Sequence, residues 1–137
     1  MRIFLDSSSF AKRFVEEEGS EAVEVICAGA SVLGLAVLCI PELVSAFNRR
    51  RREGSLTQSQ YGIVKRRLME DIRDAEIIHL TTPVVAKSIN ILETTPVRTL
   101  DALHVACALQ WEAELFVSSD KRQLAAAERA GLNIRSV

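Results

Sequence analysis

Short apolar runs alternate with amphipathic stretches along the whole chain. Ile3-Phe4-Leu5 is a continuous apolar run, as expected for a strand buried on both faces. The Ser7-Ser8-Ser9 region then predicts a helix to about Glu17, ended by Gly19. Ser20 to Ala28 predicts a second, with Ala22, Val23 and Ile26 inward. Leu35-Ala36-Val37-Leu38 reads as the second buried strand. Pro41 suits the first position of a helix running to about Arg52, and Gly54 suits its stop. Thr57 predicts the cap of a helix in which Tyr61, Val64, Leu68, Ile72 and Ala75 recur at helical spacing.

The same alternation continues to the C-terminus. Ile77-Ile78-His79-Leu80 is a third strand, Thr82-Pro83 opens a helix to about Glu93, and Thr94-Thr95-Pro96 is a loop. Thr99 predicts the cap of a helix apolar on most sides (Leu100, Leu103, Val105, Ala106, Cys107, Leu109), which places it in the core. Leu115 to Val117 is a fourth strand, Lys121 to Ala130 a helix ended by Gly131, and Ile134 to Val137 a fifth strand. Strands alternating with helices imply a mainly parallel sheet covered on both faces. No repeat, linker or low-complexity tract interrupts the pattern, so residues 1–137 read as one domain.

Composition narrows the class. Of the 137 residues 48% are hydrophobic, enough for a core, and the net charge of -1 leaves any nucleic-acid partner to be read from local clusters. The three cysteines, Cys27, Cys39 and Cys107, are widely spaced in apolar surroundings, which suits buried thiols in a reducing cytoplasm. Asp6 and Lys12-Arg13 interrupt any signal-peptide core, and the apolar stretch from Val32 to Pro41 is too short to span a bilayer. A soluble, cytoplasmic protein with no membrane partner is expected.

Acids recur where strands stop. Asp6 and Asp120 follow predicted strands; Glu42 and Asp101 fall in the first turns of predicted helices. Singly, each suits a cap or the helix dipole, worth about 0.3–1 kcal/mol. Together they can share one rim beyond the carboxyl ends of a parallel sheet, where ligand sites form. Carboxylates gathered without interleaved cations take up protons or bind a metal. Hard oxygen ligands select Mg2+ or Mn2+, and no histidine or cysteine stands at zinc-like spacing.

The stretches Asp6-Ser7-Ser8, Pro41-Glu42-Leu43, Arg98-Thr99-Leu100-Asp101-Ala102-Leu103-His104-Val105-Ala106 and Val117-Ser118-Ser119-Asp120-Lys121-Arg122, followed by Ala125-Ala126-Ala127 and Gly131-Leu132, together resemble a PIN domain. The resemblance spans essentially the whole chain and is strongest to the small VapC-type toxins of VapBC toxin–antitoxin pairs. It implies a three-layer α/β/α sandwich and a divalent-metal-dependent endoribonuclease whose acidic quartet is Asp6, Glu42, Asp101 and Asp120. Asp6 and Asp101 are then expected as direct Mg2+ or Mn2+ ligands and Asp120 as a ligand directly or through water, with Glu42 a ligand or the base toward the attacking water. The family's hydroxyls correspond to Ser7 or Ser8 and to Ser118, where the family often has threonine; they would support the acids and their waters.

The remaining expectations concern partners. Arg98 accompanies Asp101 in the family pattern and can pair with a carboxylate or reach phosphate. Arg49 and Arg50, within Arg49-Arg50-Arg51-Arg52, can contact RNA phosphates, although cations at a helix C-terminus also suit the dipole or partner salt bridges. Lys65-Arg66-Arg67 has the same ambiguity. His104, one turn beyond Asp101, reads as a core or supporting residue ahead of a catalytic base, and Trp111 as packing. The resemblance also implies an antitoxin partner and a homodimer through the helical hairpin of residues 41–74. Two rivals stand beside it. A receiver or aspartyl-phosphate phosphatase would pair a second acid with Asp6, which serines follow instead. A catalytically silent PIN scaffold binding RNA or protein would most simply lack one of the four acids.

Overall fold

A computed structural model describes residues 1–137. Five parallel strands, β1 (Arg2–Leu5), β2 (Val32–Ala36), β3 (Glu76–Ile78), β4 (Leu115–Ser118) and β5 (Ile134–Ser136), form one sheet in the order β3-β2-β1-β4-β5. Seven helices connect them: α1 (Ser7–Ala11), α2 (Ser20–Ala28), α3 (Cys39–Arg52), α4 (Gln58–Asp74), α5 (Thr82–Thr94), α6 (Thr99–Gln110) and α7 (Lys121–Arg129). Side chains alternate across a strand, and the central strands use this to feed two cores. Phe4, Ala36 and Phe116 join α5, α6 and α7 on one face. Ile3, Leu5, Leu35 and Val117 join α1, α2, α3 and α4 on the other. The result is the expected α/β/α sandwich. No helix is long and apolar enough to cross a membrane.

The order of strands locates the working end. From β1 the chain winds outward through β2 to β3, then crosses back to lay β4 on the other side of β1. The reversal lies between β1 and β4, and in open parallel sheets ligands bind beyond the strand ends at that point. Asp6 follows β1 and Ser119-Asp120 follow β4.

Several boundaries differ from expectation. The first helix ends at Ala11, not near Glu17; tightened turns follow, with Lys12, Arg13 and Phe14 N–H groups donating to Ser9, Phe10 and Ala11 carbonyls. Tertiary packing overrides the local pattern there: Phe14 stacks edge-on against Phe10 and Phe47, and the Lys12 ammonium folds back onto the Glu18 carbonyl and Glu17. Ala22 is exposed rather than inward. β3 ends at Ile78, before His79 and Leu80. The cap of α6 is Arg98, with Thr99 as the first helical residue. Helix α3 starts at Cys39, two residues before Pro41; first-turn N–H groups have no intrahelical acceptor, so proline is tolerated there.

The second strand is Val32–Ala36 rather than Leu35–Leu38, and it includes Gly34. Gly34 is required by Trp111, whose indole lies against the strand: a Cβ at Gly34 would stand 2.7 Å from Cε3 and Cζ3 of the ring. The ring has little freedom to retreat. Its Nε1 donates to Glu76 at 2.6 Å, and the Arg2 guanidinium covers it 4.1 Å from the ring centre. Gly34→Ala should therefore destabilise the fold by about 1–3 kcal/mol through overpacking. A lower midpoint of urea unfolding at unchanged slope is the expected reading, and a wild-type midpoint would refute it.

Candidate active site

Each of the four acids is delivered by a different element. Asp6 is the N-cap of α1 and is 3% exposed. Ser9 N–H and Ser9 Oγ donate to its Oδ1 at 2.9 and 2.8 Å, Ser118 Oγ donates to its Oδ2 at 2.7 Å, and Ser8 Oγ lies 2.9 and 2.8 Å from the two oxygens. Ser8 and Ser118 thus both hydrogen-bond the first acid, whereas Ser118 is expected from the sequence to orient Asp120 or a bound water. Ser8 Oγ also accepts from Ser119 N–H, and Ser118 Oγ from Asp120 N–H, which ties the end of β1 to the end of β4.

Glu42 sits in the first turn of α3, where its Oε1 accepts from Ser7 Oγ at 2.8 Å and meets His104 Nε2 at 2.6 Å. Burial would raise this carboxyl, but the hydrogen bond and charge of His104 and the Ser7 hydroxyl outweigh it and hold Glu42 below the ordinary carboxylate range. Asp101, in the first turn of α6, is displaced the other way. Burial raises its carboxyl, the charges of Asp120, Asp6 and Glu42 raise it further, and His104 opposes them. Asp120 caps α7, its Oδ1 accepting from Arg122 and Gln123 N–H at 2.9 and 3.2 Å. Capping is thus real for Asp6 and Asp120, and it orients each carboxylate at the strand end.

Glu42, Asp101 and Asp120 line one open cleft of about 1040 Å³, together with Arg98, Thr99, Lys121 and Arg122. Asp6 lies beneath, joined to Asp120 through Ser118. The structure brings Arg98 to the cleft, and Lys121 and Arg122 join it; none of these three forms an ion pair. It does not bring Arg49 or Arg50 there. Arg50 pairs with Glu17 at 3.1 Å, and the neighbouring Arg51 donates to Gln58 and Asn48 and lies over Tyr61. Sequence reasoning missed Ser9 and Gln123. The buried Gln123 amide spans the site, its Oε1 lying 3.2 Å from Ser118 Oγ and its Nε2 donating to the Asp101 carbonyl at 3.3 Å. Its only sequence signal is a polar residue on the inner face of the alanine-rich helix. The cysteines are free, and burial pushes Cys39 and Cys107 up to about 12, so neither offers a thiolate.

The model of the PIN domain matches residues 3–129. The chain belongs to the PIN domain family. No curated protein matches it in sequence. Among solved structures, the PIN fold is similar to FitAcB from Neisseria gonorrhoeae, at 16% identity over 96% of this chain and 95% of that one, with a TM-score of 0.75. It is likewise similar to VapC20 of Mycobacterium tuberculosis, described as a sarcin-ricin loop cleaving toxin, at 16% identity, 95% of both chains and a TM-score of 0.70. A toxin–antitoxin complex from Klebsiella pneumoniae matches at 13% identity, 90% of both chains and a TM-score of 0.69. At these identities the likeness is one of fold, and PIN-domain chemistry in this chain rests on its own side chains.

Those side chains suit a hard divalent cation in donor chemistry. Asp120 Oδ2 and Glu42 Oε2 accept no protein hydrogen bond, and Asp101 has only a 3.5 Å approach from Gln123. No three acidic, histidine or cysteine side chains stand close enough together to hold a metal ion among them. Free carboxylate oxygens of this kind suit a hard cation that keeps several of its waters and takes only one or two protein ligands.

Proposed function

We propose that this PIN domain is a divalent-metal-dependent endoribonuclease acting in the cytoplasm as the toxin of a toxin–antitoxin pair. The observation that carries the reading is the gathering of Asp6, Glu42, Asp101 and Asp120, from four separate segments, at the switch point of the sheet, where burial first and then the charges of the other three raise the Asp101 carboxyl. A Mg2+ or Mn2+ ion held by these acids would supply an acidified water and offset charge on the leaving oxygen. The protein's own groups do the rest. Arg98, Lys121 and Arg122 hold the phosphate backbone across the cleft. The serines keep Asp6 and Asp120 in register, and Glu42, kept ionised, can ligate or accept the water's proton. A protein antitoxin that places an arginine among the acids would compete with the cation through the same charges. The likeness to a toxin–antitoxin complex supports such a partner, and a homodimer belongs to the same reading.

The rival reading, a silent scaffold that binds RNA without cutting it, predicts no metal-dependent products. Purified protein should fragment RNA with Mg2+ or Mn2+ and not with EDTA; tight RNA binding without new RNA ends would favour the rival. A stability measurement tests the same site. A carboxyl held above its unfolded value makes its ionisation unfavourable to the fold, so stability falls as pH rises through that value. At neutral pH Asp101→Asn should raise Tm, on the order of 1–4 °C. About 10 mM Mg2+ should then raise the Tm of the wild type and not of this variant, because only a bound ion adds stability. Equal Mg2+ shifts in both proteins would place the ion elsewhere.

A further inference from the structure

The contact between His104 and Glu42 crosses 62 positions of sequence and is among the shortest hydrogen bonds in the site, at 2.6 Å. His104 is 2% exposed and does not line the cleft, so it cannot touch a substrate or take a proton from a water in the cleft. Its environment is also poorly suited to an imidazole. It shares the inner face of α6 with Ala102, Val105 and Ala106, and its Nδ1 is buried with no hydrogen-bond partner. Buried polar atoms are nearly always paired. A position that needed only volume would be filled better by leucine. The unmatched nitrogen is tolerated because the other one has an occupation.

We propose that His104 is a positioning residue that, with Ser7, clamps one carboxylate oxygen of Glu42 and leaves the other to face the cleft. Both donors converge on Oε1: Ser7 Oγ at 2.8 Å and His104 Nε2 at 2.6 Å, with 3.3 Å between the donors themselves. No protein group hydrogen-bonds Oε2. A glutamate has three side-chain torsions, and one standing free at the mouth of a cleft would have to be ordered each time a ligand bound. Here the ordering is done on folding. Helix α6 thereby sets two acids at once, Asp101 directly from its first turn and Glu42 through the ring one turn later. The separation of these acids is then fixed by one rigid helix rather than by the docking of α3 alone. Support of a ligand by a neighbouring hydrogen-bond donor is typically worth 10–100-fold in metal affinity or activity.

This inference rests on the metal-nuclease reading, and its test separates the two. Mn2+ binding is measured by electron paramagnetic resonance in the absence of RNA, alongside kcat and KM on an RNA oligonucleotide in Mg2+. His104→Leu keeps the volume and removes the donor; His104→Gln restores an N–H at nearly the same place. His104→Leu should weaken Mn2+ binding about 10–100-fold and lower kcat with little change in KM, and His104→Gln should recover most of both. Wild-type Mn2+ affinity in His104→Leu would overturn the proposal. Equal losses in the two variants would also overturn it, by making the role one of packing. If His104→Leu does not fold, Ser7→Ala, which removes the second donor without opening the core, should weaken Mn2+ binding in the same direction, and unchanged affinity there would be equally decisive against it. A wild type that neither binds Mn2+ nor cuts RNA would remove both readings; a wild type that does both, matched by His104→Leu, would remove only this one.

Discussion

Replacing Asp6 by asparagine should leave the fold standing and, on the proposed metal-nuclease reading, lower metal-dependent RNA cleavage by at least about 100-fold, since losing a ligand exceeds the 10–100-fold typical of losing a ligand's supporting partner. The fold survives because the hydrogen-bond pattern around Asp6 can be redrawn. The asparagine oxygen still accepts from Ser9 N–H, preserving the cap of α1. Its amide can donate to Ser118 and Ser8, whose hydroxyls accept as readily as they donate. What disappears is the negative charge at the base of the cleft. Asp101 then faces one repelling acid fewer and should move back toward its ordinary value. Circular dichroism and a melting curve report the fold, and a cleavage time course reports the chemistry. Inside cells, induction of the wild type should arrest growth and produce new RNA ends, and induction of the variant should do neither. An Asp6→Asn protein that cuts at the wild-type rate would dismiss Asp6 from the reaction.

The largest stability effect is expected at Phe4. Its ring is fully buried, stacks on Phe116 at 5.7 Å and 10°, and meets Trp111 at 6.3 Å. It lies on β1, which is paired on both sides and cannot shift to close a void. Phe4→Ala should cost about 3–5 kcal/mol, the transfer of the ring plus the cavity it leaves. Against a total stability of about 5–15 kcal/mol, this brings the protein close to unfolding near body temperature. Urea denaturation followed by tryptophan fluorescence is a direct measure, because Trp111 is the sole tryptophan and abuts the site. The exposed Ile63 on α4 is the control, where truncation should stay within about 0.5 kcal/mol. A Phe4→Ala loss below about 1 kcal/mol would mean that this core repacks freely, contrary to the usual cost of such cavities.

The order and type of the elements were legible because burial leaves a local trace. Continuous apolar triplets marked β1 and β4, and helical spacing marked α4, whose Val64 and Leu68 are buried as the periodicity requires. Boundaries were less legible wherever a distant residue changed the local meaning. The second strand begins earlier than its apolar run suggested and takes in Gly34, because the indole covering that glycine arrives from position 111. Helix α1 looked longer than it is because Phe14 continues the apolar pattern while packing against Phe47 through a tighter turn. The arginine run was open between phosphate contact and salt bridges, and the neighbours that hold Arg50 and Arg51 are ones that only the packing of α3 brings near.

The sequence alone determined that this chain alternates strand and helix and that its acids stand at strand ends and helix starts. Such features depend on spacing and capping within a few residues, where composition decides which conformer is lowest. Only the tertiary structure decided that β4 returns to the far side of β1. That single crossing brings Ser118 to Asp6 across 112 positions of chain and puts Asp120 beside Asp101. It likewise decided that His104 meets Glu42, and that Arg98, Lys121 and Arg122, rather than the arginine run, border the cleft. Strand order leaves no local pattern, since it follows from which buried faces fit together over the whole sheet, and every distance in the site depends on it.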